Sequence, residues 1–262
     1  MPEIDRWSEY LSEEMRSVWP ALAAATRGLE GSLVGGTALA IHLRHRRSFD
    51  LDFMTLESFS GERVARSLRS STEDIVVSSV GADTLHAAVR GVEVQVFRAP
   101  ARGYNPGHVR NLAAAVSVDG LAVASLADLL ASKLDVIMYR PKLRDYVDLA
   151  AIDRAGPYRL EDGLLFHTHR YGSVPEARDL SRIVTLLEDP GALQTDRTFD
   201  ALAAPTLEYL RSRVPALQRH LQSLRAAPPA LPVERSTGRS PAGPAGSLDD
   251  APPPLPSGGV DV

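Results

Sequence analysis

The chain has 262 residues and carries 29 lysines and arginines against 33 aspartates and glutamates, a formal charge of −4. That length can bury a sizeable core, and the charge offers no global attraction for a polyanion, so a nucleic-acid partner needs local basic patches. The absence of cysteine excludes disulfides and thiolate metal sites. No stretch approaches the roughly 18 consecutive apolar residues of a membrane span, and the opening MPEIDRWSEY lacks the basic-then-apolar order of a signal peptide, so a cytoplasmic protein without membrane contact is expected.

In chain order, Trp7, Leu11, Met15, Val18 and Leu22 recur every three or four residues and predict an amphipathic helix over 5–28. SLV after Gly31 predicts a brief strand, Gly35-Gly36 a tight turn, and Thr37 to Arg44 a short helix that runs through the basic RHRR into a strand at DLDF. GERVARSLRSS reads as a helix, and IVVSSV, TLHAAV and VEVQVF read as strands divided by GAD and RG turns. From Leu121 the period becomes 3.6. SLADLLASKLDVIMY opens with Ser125 and Asp128 in capping-box positions, Pro141 separates it from KLRDYVDLAAIDRA, and further helices are expected around 175–187 and 198–224. Residues 226–262 are rich in proline, alanine, glycine and serine, cannot bury enough apolar surface to offset their ordering entropy, and predict a disordered tail. The expected class is α+β: a small mixed-sheet core over 1–118, a helical bundle over 119–225, then the tail.

Four features carry chemistry. Glycines let a backbone approach a ligand closely, and a helix start offers N–H groups and a positive dipole end, so Gly35-Gly36 before a helix suits a phosphate as well as a plain turn. Asp50 and Asp52 share one face of their strand, roughly 7 Å apart. Such a pair is tolerable when solvated, when neutralised by a cation, or when a divalent metal sits between them. Phe49, Leu51 and Phe53 point the other way and read as core. Lys133 stands inside the apolar stripe of Leu126, Leu129, Leu130, Leu134 and Ile137, where its stem either snorkels to water or its ammonium enters a cleft and meets phosphate. In RPKLRDYVDL, Asp145 and Asp148 share a helix face near Arg140, Lys142 and Arg144, either as surface ion pairs or as lining of the same cleft. His42 with His45, and His167 with His169, read as scattered surface histidines rather than metal pairs.

GGTALAIHLRHRRSFDLDF followed by DLLASKLDVIMYRPKLRDYVDL resembles the AbiEii-type nucleotidyltransferases, toxins of abortive-infection and type IV toxin–antitoxin systems within the polymerase-β-like superfamily; the likeness spans about residues 30–152. The resemblance implies that Gly35, Gly36 and Thr37 hold the phosphates of an NTP, that Asp50 and Asp52 bind Mg²⁺, that Lys133 contacts the triphosphate beside Arg144, and that Asp145 or Asp148 completes or braces the site. A third carboxylate from a neighbouring strand is usual in the superfamily. Here Gln95 takes that place, with Glu93 one strand-period earlier on the same face, so that Glu93, a helix aspartate or no carboxylate serves as the further metal ligand. The implied acceptor is RNA, the acceptor end of tRNA, flanked by the basic clusters Arg44 to Arg47 and Arg140 to Arg144, and the implied partner is a neighbouring antitoxin. A small-molecule acceptor and a non-catalytic nucleotide- or RNA-binding relic are the alternatives.

Overall fold

The computed structural model describes residues 8–99, 109–172, 178–195 and 197–226. Ser12 accepts a hydrogen bond from the Met15 amide and so opens helix α1 (Glu13–Ala25), which buries Met15, Val18, Trp19 and Leu22. This capping by a serine hydroxyl starts the helix later than the apolar spacing predicts. Trp7 lies outside the described residues, and the tryptophan that anchors α1 is Trp19, whose Nε1 donates to the Val118 carbonyl at 3.1 Å.

Strand β1 (Gly31–Val34) passes directly into helix α2 (Gly35–Leu43), and a connection through Arg46 leads to β2 (Asp50–Thr55). Ser60 caps α3 (Gly61–Ser71), after which β3 (Ile75–Gly81), β4 (Thr84–Val89) and β5 (Val92–Arg98) form an antiparallel meander. The β4–β5 turn is Arg90-Gly91, both residues at positive φ (49° and 75°), the geometry of a two-residue hairpin. A second hairpin joins β6 (Val116–Val118) to β7 (Leu121–Val123) through Asp119-Gly120, at φ 43° and 82°. The helical period expected from Leu121 is therefore wrong for that segment.

The seven strands form one sheet in the order β3-β4-β5-β2-β1-β7-β6. It is mixed: β2 runs parallel to β5 and β1 parallel to β7, while β1 and β2 are antiparallel. With eight α-helices among the described residues, the fold is a mixed α+β architecture. The later helices are α4 (Leu126–Val136), α5 (Leu143–Ala155), α6 (Leu160–Tyr171), α7 (Arg178–Glu188) and α8 (Asp200–Ala226). The sequence reading omits α6. It packs on α4 through Gly163, where a Cβ would meet Leu134 Cδ1 at 2.8 Å and Leu130 Cγ at 2.9 Å.

Two local expectations need correction. Asp128 does not reach back to the Ser125 backbone as a capping box requires. Its carboxylate accepts from the Ser125 hydroxyl (2.6 Å), the Leu112 amide (2.9 Å) and Arg170, tying α4 to α6 and to the segment before β6. Phe49 is not core but 68% exposed, because β2 begins only at Asp50. The tail, 227–262, lies outside the described residues. Among those that are described, no helix is long and apolar enough to cross a membrane.

Candidate active site

In β2, Leu51 and Phe53 enter the core while Asp50 and Asp52 lie half-buried on the opposite face, as strand alternation requires. The Asp50 carbonyl accepts from Thr37 Oγ1 at 2.5 Å, which ties the first turn of α2 to β2, and Asp50 Oδ1 accepts from Ser48 Oγ at 3.0 Å. The parallel register with β5 sets Glu93 beside Asp50 and Gln95 beside Asp52, with Glu93 exposed and Gln95 half-buried.

The glycine pair is not a separate turn. Gly35 begins α2 at φ 75°, a left-handed conformation that glycine adopts without a Cβ penalty. A Cβ there would lie 2.8 Å from Asp52 Oδ2, and one on Gly36 would lie 2.5 Å from Arg46 Nη2. Both glycines are thus fixed by close approach, Gly35 to the acidic face and Gly36 to a guanidinium. Val34, the N-cap residue, makes no side-chain cap, so the positive end of α2 meets Asp52 with no capping side chain between them.

Lys133 neither snorkels to water nor projects freely. It is buried, with Nζ 2.6 Å from both Asp145 Oδ1 and Asp148 Oδ2, and the two aspartates are fully buried. Asp148 Oδ1 also accepts from His45 Nε2 (2.7 Å) and Arg46 Nε (2.6 Å), and Asp148 Oδ2 accepts from Arg46 Nη2 (2.9 Å). Burial alone would neutralise Lys133, but Asp148 and Asp145 outweigh it and hold the ammonium charged. Burial would likewise raise Asp148, and Lys133, His45 and Arg46 overcome it and keep the carboxyl well below its usual range. His45 and Arg46 are the residues the sequence reading missed in this role. Their only signal was the basic RHRR run, read there as a cluster beside the cleft for an RNA backbone, with His45 as a surface histidine. Arg46 is turned inward, its side chain 11% exposed, whereas Arg44 and Arg47 are exposed.

A cleft of about 150 Å³ opens over this assembly, lined by Gly35, Asp52, Met54, Phe97, Lys133 and Arg140 among others. Arg144 Nη1 stands 3.8 Å from Asp50 Oδ2, and Arg140 Nε stands 3.6 Å from Asp145 Oδ2. Burial and the neighbouring Asp50 push the Asp52 carboxyl up to about 6, against the pull of Arg140, Lys133 and Arg144. Two hard carboxylates on one strand face, the Gln95 amide at the neighbouring register position, and the room left by the missing Cβ of Gly35 fit a small divalent cation. Among the described residues, no set of three histidine, cysteine or acidic side chains converges as a metal site. The histidines are separate: His42 Nε2 bonds the Ala124 carbonyl at 2.8 Å, His45 serves Asp148, and His167 lies 3.5 Å from Asp135.

No curated protein matches the sequence. Among solved structures, the fold is similar to JHP933 from Helicobacter pylori, with 17% identity and a TM-score of 0.47, over 83% of this chain and 97% of that one. It is also similar to MenT4, a nucleotidyltransferase toxin from Mycobacterium tuberculosis H37Rv, with 14% identity and a TM-score of 0.45, over 86% and 96%. The sequence profile described as "Nucleotidyl transferase AbiEii toxin, Type IV TA system" matches residues 22–223, a span that runs from α1 into α8 and contains every residue of the acidic face and the buried lysine network. With that match over most of its length, the chain belongs to the AbiEii family of nucleotidyltransferase toxins.

Proposed function

We propose that this toxin transfers the nucleoside monophosphate of an NTP to an RNA hydroxyl, the acceptor end of a tRNA, with Mg²⁺ as cofactor. The observation that carries the reading is the contact of Asp52 with the Gly35 start of α2, which brings a metal-fitting acidic face and a phosphate-fitting helix terminus within one nucleotide's reach.

On this reading the first-turn N–H groups of Gly35, Gly36 and Thr37 take the phosphates, and Asp50 and Asp52 hold Mg²⁺, with Gln95 or Glu93 next to them in register. Mg²⁺, when bound, neutralises phosphate charge at the reacting centre. Lys133, Arg140 and Arg144 supply fixed positive charge to the triphosphate, while Asp145 and Asp148 hold Lys133 in place rather than meeting the substrate. The acceptor oxygen bonds to the α-phosphorus as the bond to the α–β bridging oxygen breaks. Pyrophosphate leaves, and the hydroxyl proton passes to water. Positioning and charge neutralisation supply the catalysis.

Exposed Arg44 and Arg47, with Arg140 and Arg144 at the cleft, suit an RNA backbone. An acceptor of this kind places the toxin in the cytoplasm, and a type IV system supplies an antitoxin as its partner. Incubation of the protein with total tRNA, Mg²⁺ and each labelled NTP in turn tests the proposal. A labelled tRNA band with at least one NTP is the expected result, and its absence with all of them overturns the RNA acceptor.

A further inference from the structure

We propose that Ser132 and Asp135 of α4 hold the ribose hydroxyls of the bound nucleotide and set a preference for NTP over dNTP. The inference rests on the nucleotide site of the reading above and adds what selects its sugar.

The cleft over Asp52 has walls of two chemistries. Gly35, Asp52, Lys133 and Arg140 line it with charge and with the start of α2, the groups assigned above to metal and phosphate. Phe97, Val109 and Leu129 line it with apolar surface, which suits the faces of a base. Ser132 and Asp135 line the same cavity and belong to neither wall. They stand three residues apart on α4 and so share one helix face. In a nucleotide the ribose joins the phosphates to the base, and its hydroxyls are the donors that lie between them.

Asp135 is 4% exposed, a burial that is costly for a carboxylate without hydrogen bonds. His167 of α6 approaches its Oδ1 at 3.5 Å. That contact orients the side chain without exhausting it, because a carboxylate offers about four acceptor sites. A carboxylate accepts and does not donate, so it suits a pair of vicinal hydroxyls. A 2′-deoxyribose would leave part of that capacity unmet, the circumstance in which a polar site rejects an analogue lacking a hydroxyl. Ser132 is half-buried and accepts from the Tyr171 hydroxyl at 3.4 Å, which leaves the serine proton to donate to a ribose oxygen.

The test measures, by isothermal titration calorimetry with the full chain and Mg²⁺, the affinity of each NTP and of its 2′-deoxy counterpart. Wild-type protein should bind its preferred NTP about tenfold or more tighter than the deoxy counterpart, the loss that one hydrogen bond to a charged group accounts for. Asp135→Ala should bring that ratio within about threefold by weakening NTP and not dNTP. Ser132→Ala should narrow it partway, and both variants should keep the order of preference among the bases. If thermal melting shows that Asp135→Ala does not fold, Asp135→Asn, which keeps the shape and one acceptor oxygen, and Ser132→Ala decide, and a ratio unchanged in both refutes the inference. Equal wild-type binding of NTP and dNTP refutes it, as does an equal loss of both in Asp135→Ala or a changed base order in place of a narrowed ratio. Selective NTP binding without tRNA labelling would leave the ribose site standing and overturn the RNA acceptor alone. A wild-type protein that binds no nucleotide refutes the inference and the nucleotide site together.

Discussion

Lys133 on α4 and Asp148 on α5 meet at 2.6 Å with both side chains buried, and Arg46 from the α2–β2 connection grips the same carboxylate from its other side. One carboxylate thereby joins three segments that carry the candidate site. Lys133→Ala leaves Asp145 and Asp148 buried with their shared cation gone, a loss that in comparable buried pairs costs about 3–5 kcal/mol. Urea unfolding should show a drop of that size. A change under about 1 kcal/mol would mean that the network contributes little to the fold and that Lys133 serves the substrate alone.

Asp52 should oppose folding while it serves function. Its carboxyl is raised from the ordinary 3.8 to about 6, chiefly by burial, so the folded protein holds the proton more tightly than the unfolded chain does. The contribution of this group is therefore fully present below about pH 4 and declines as pH rises toward 6. Asp148 is shifted the other way and gives a slope of opposite sign at lower pH, so the informative quantity is the difference between wild type and Asp52→Asn. In metal-free buffer at pH 7 the Asn variant should be more stable by about 1–2 kcal/mol, a figure discounted for the partial exposure of the site, yet inactive in transfer. Equal stability across pH 4 to 7 would remove the crowded acidic face from the account.

Gly35→Ala tests the approach of α2 to the acidic face. A left-handed backbone costs an alanine about 1–2 kcal/mol, and the new methyl would stand 2.8 Å from Asp52 Oδ2. Transfer should fall by roughly tenfold or more, because small displacements of reacting groups are costly. Gly28→Ala is the control. Its φ is 80° with nothing within 4 Å of the added Cβ, so it should lose similar stability and keep its transfer rate. Equal rates in the two variants would show that Gly35 matters only as backbone.

The third-ligand position separates Glu93 from Gln95. Gln95 stands in register with Asp52, whereas Glu93 is exposed beside Asp50, so we place the metal-facing role at Gln95. Glu93→Gln should leave transfer near wild type, and Gln95→Asp should lower the Mg²⁺ concentration needed for half-maximal rate. A Glu93→Gln enzyme as inactive as Asp52→Asn would reverse that assignment.

Much of the architecture was written in local chemistry. The strict alternation of DLDF, the 61–71 helix, and the shared helix face of Asp145 and Asp148 all follow from periods of 2.0 and 3.6 residues. What the sequence reading lost was decided elsewhere. The Asp119-Gly120 dipeptide is a hairpin signal, but the flanking strands are only three residues long and stand next to a helical run that masked them. Phe49 falls in phase with Leu51 and Phe53, yet the strand does not reach it. The partners of Lys133 could be suspected from a cation in an apolar stripe, whereas His45 and Arg46 lie about 100 residues from Asp148 in sequence and meet it only through the tertiary fold.

The most direct measurement follows the phosphate. Wild-type protein, Asp50→Asn and Asp52→Asn are incubated with tRNA, Mg²⁺ and an NTP labelled at either the α- or the γ-phosphate. The account predicts that wild-type protein moves the α-label, and never the γ-label, onto RNA, and that both Asn variants move neither while remaining folded. Transfer of the γ-label, or α-label transfer at the wild-type rate by either Asn variant, would contradict it.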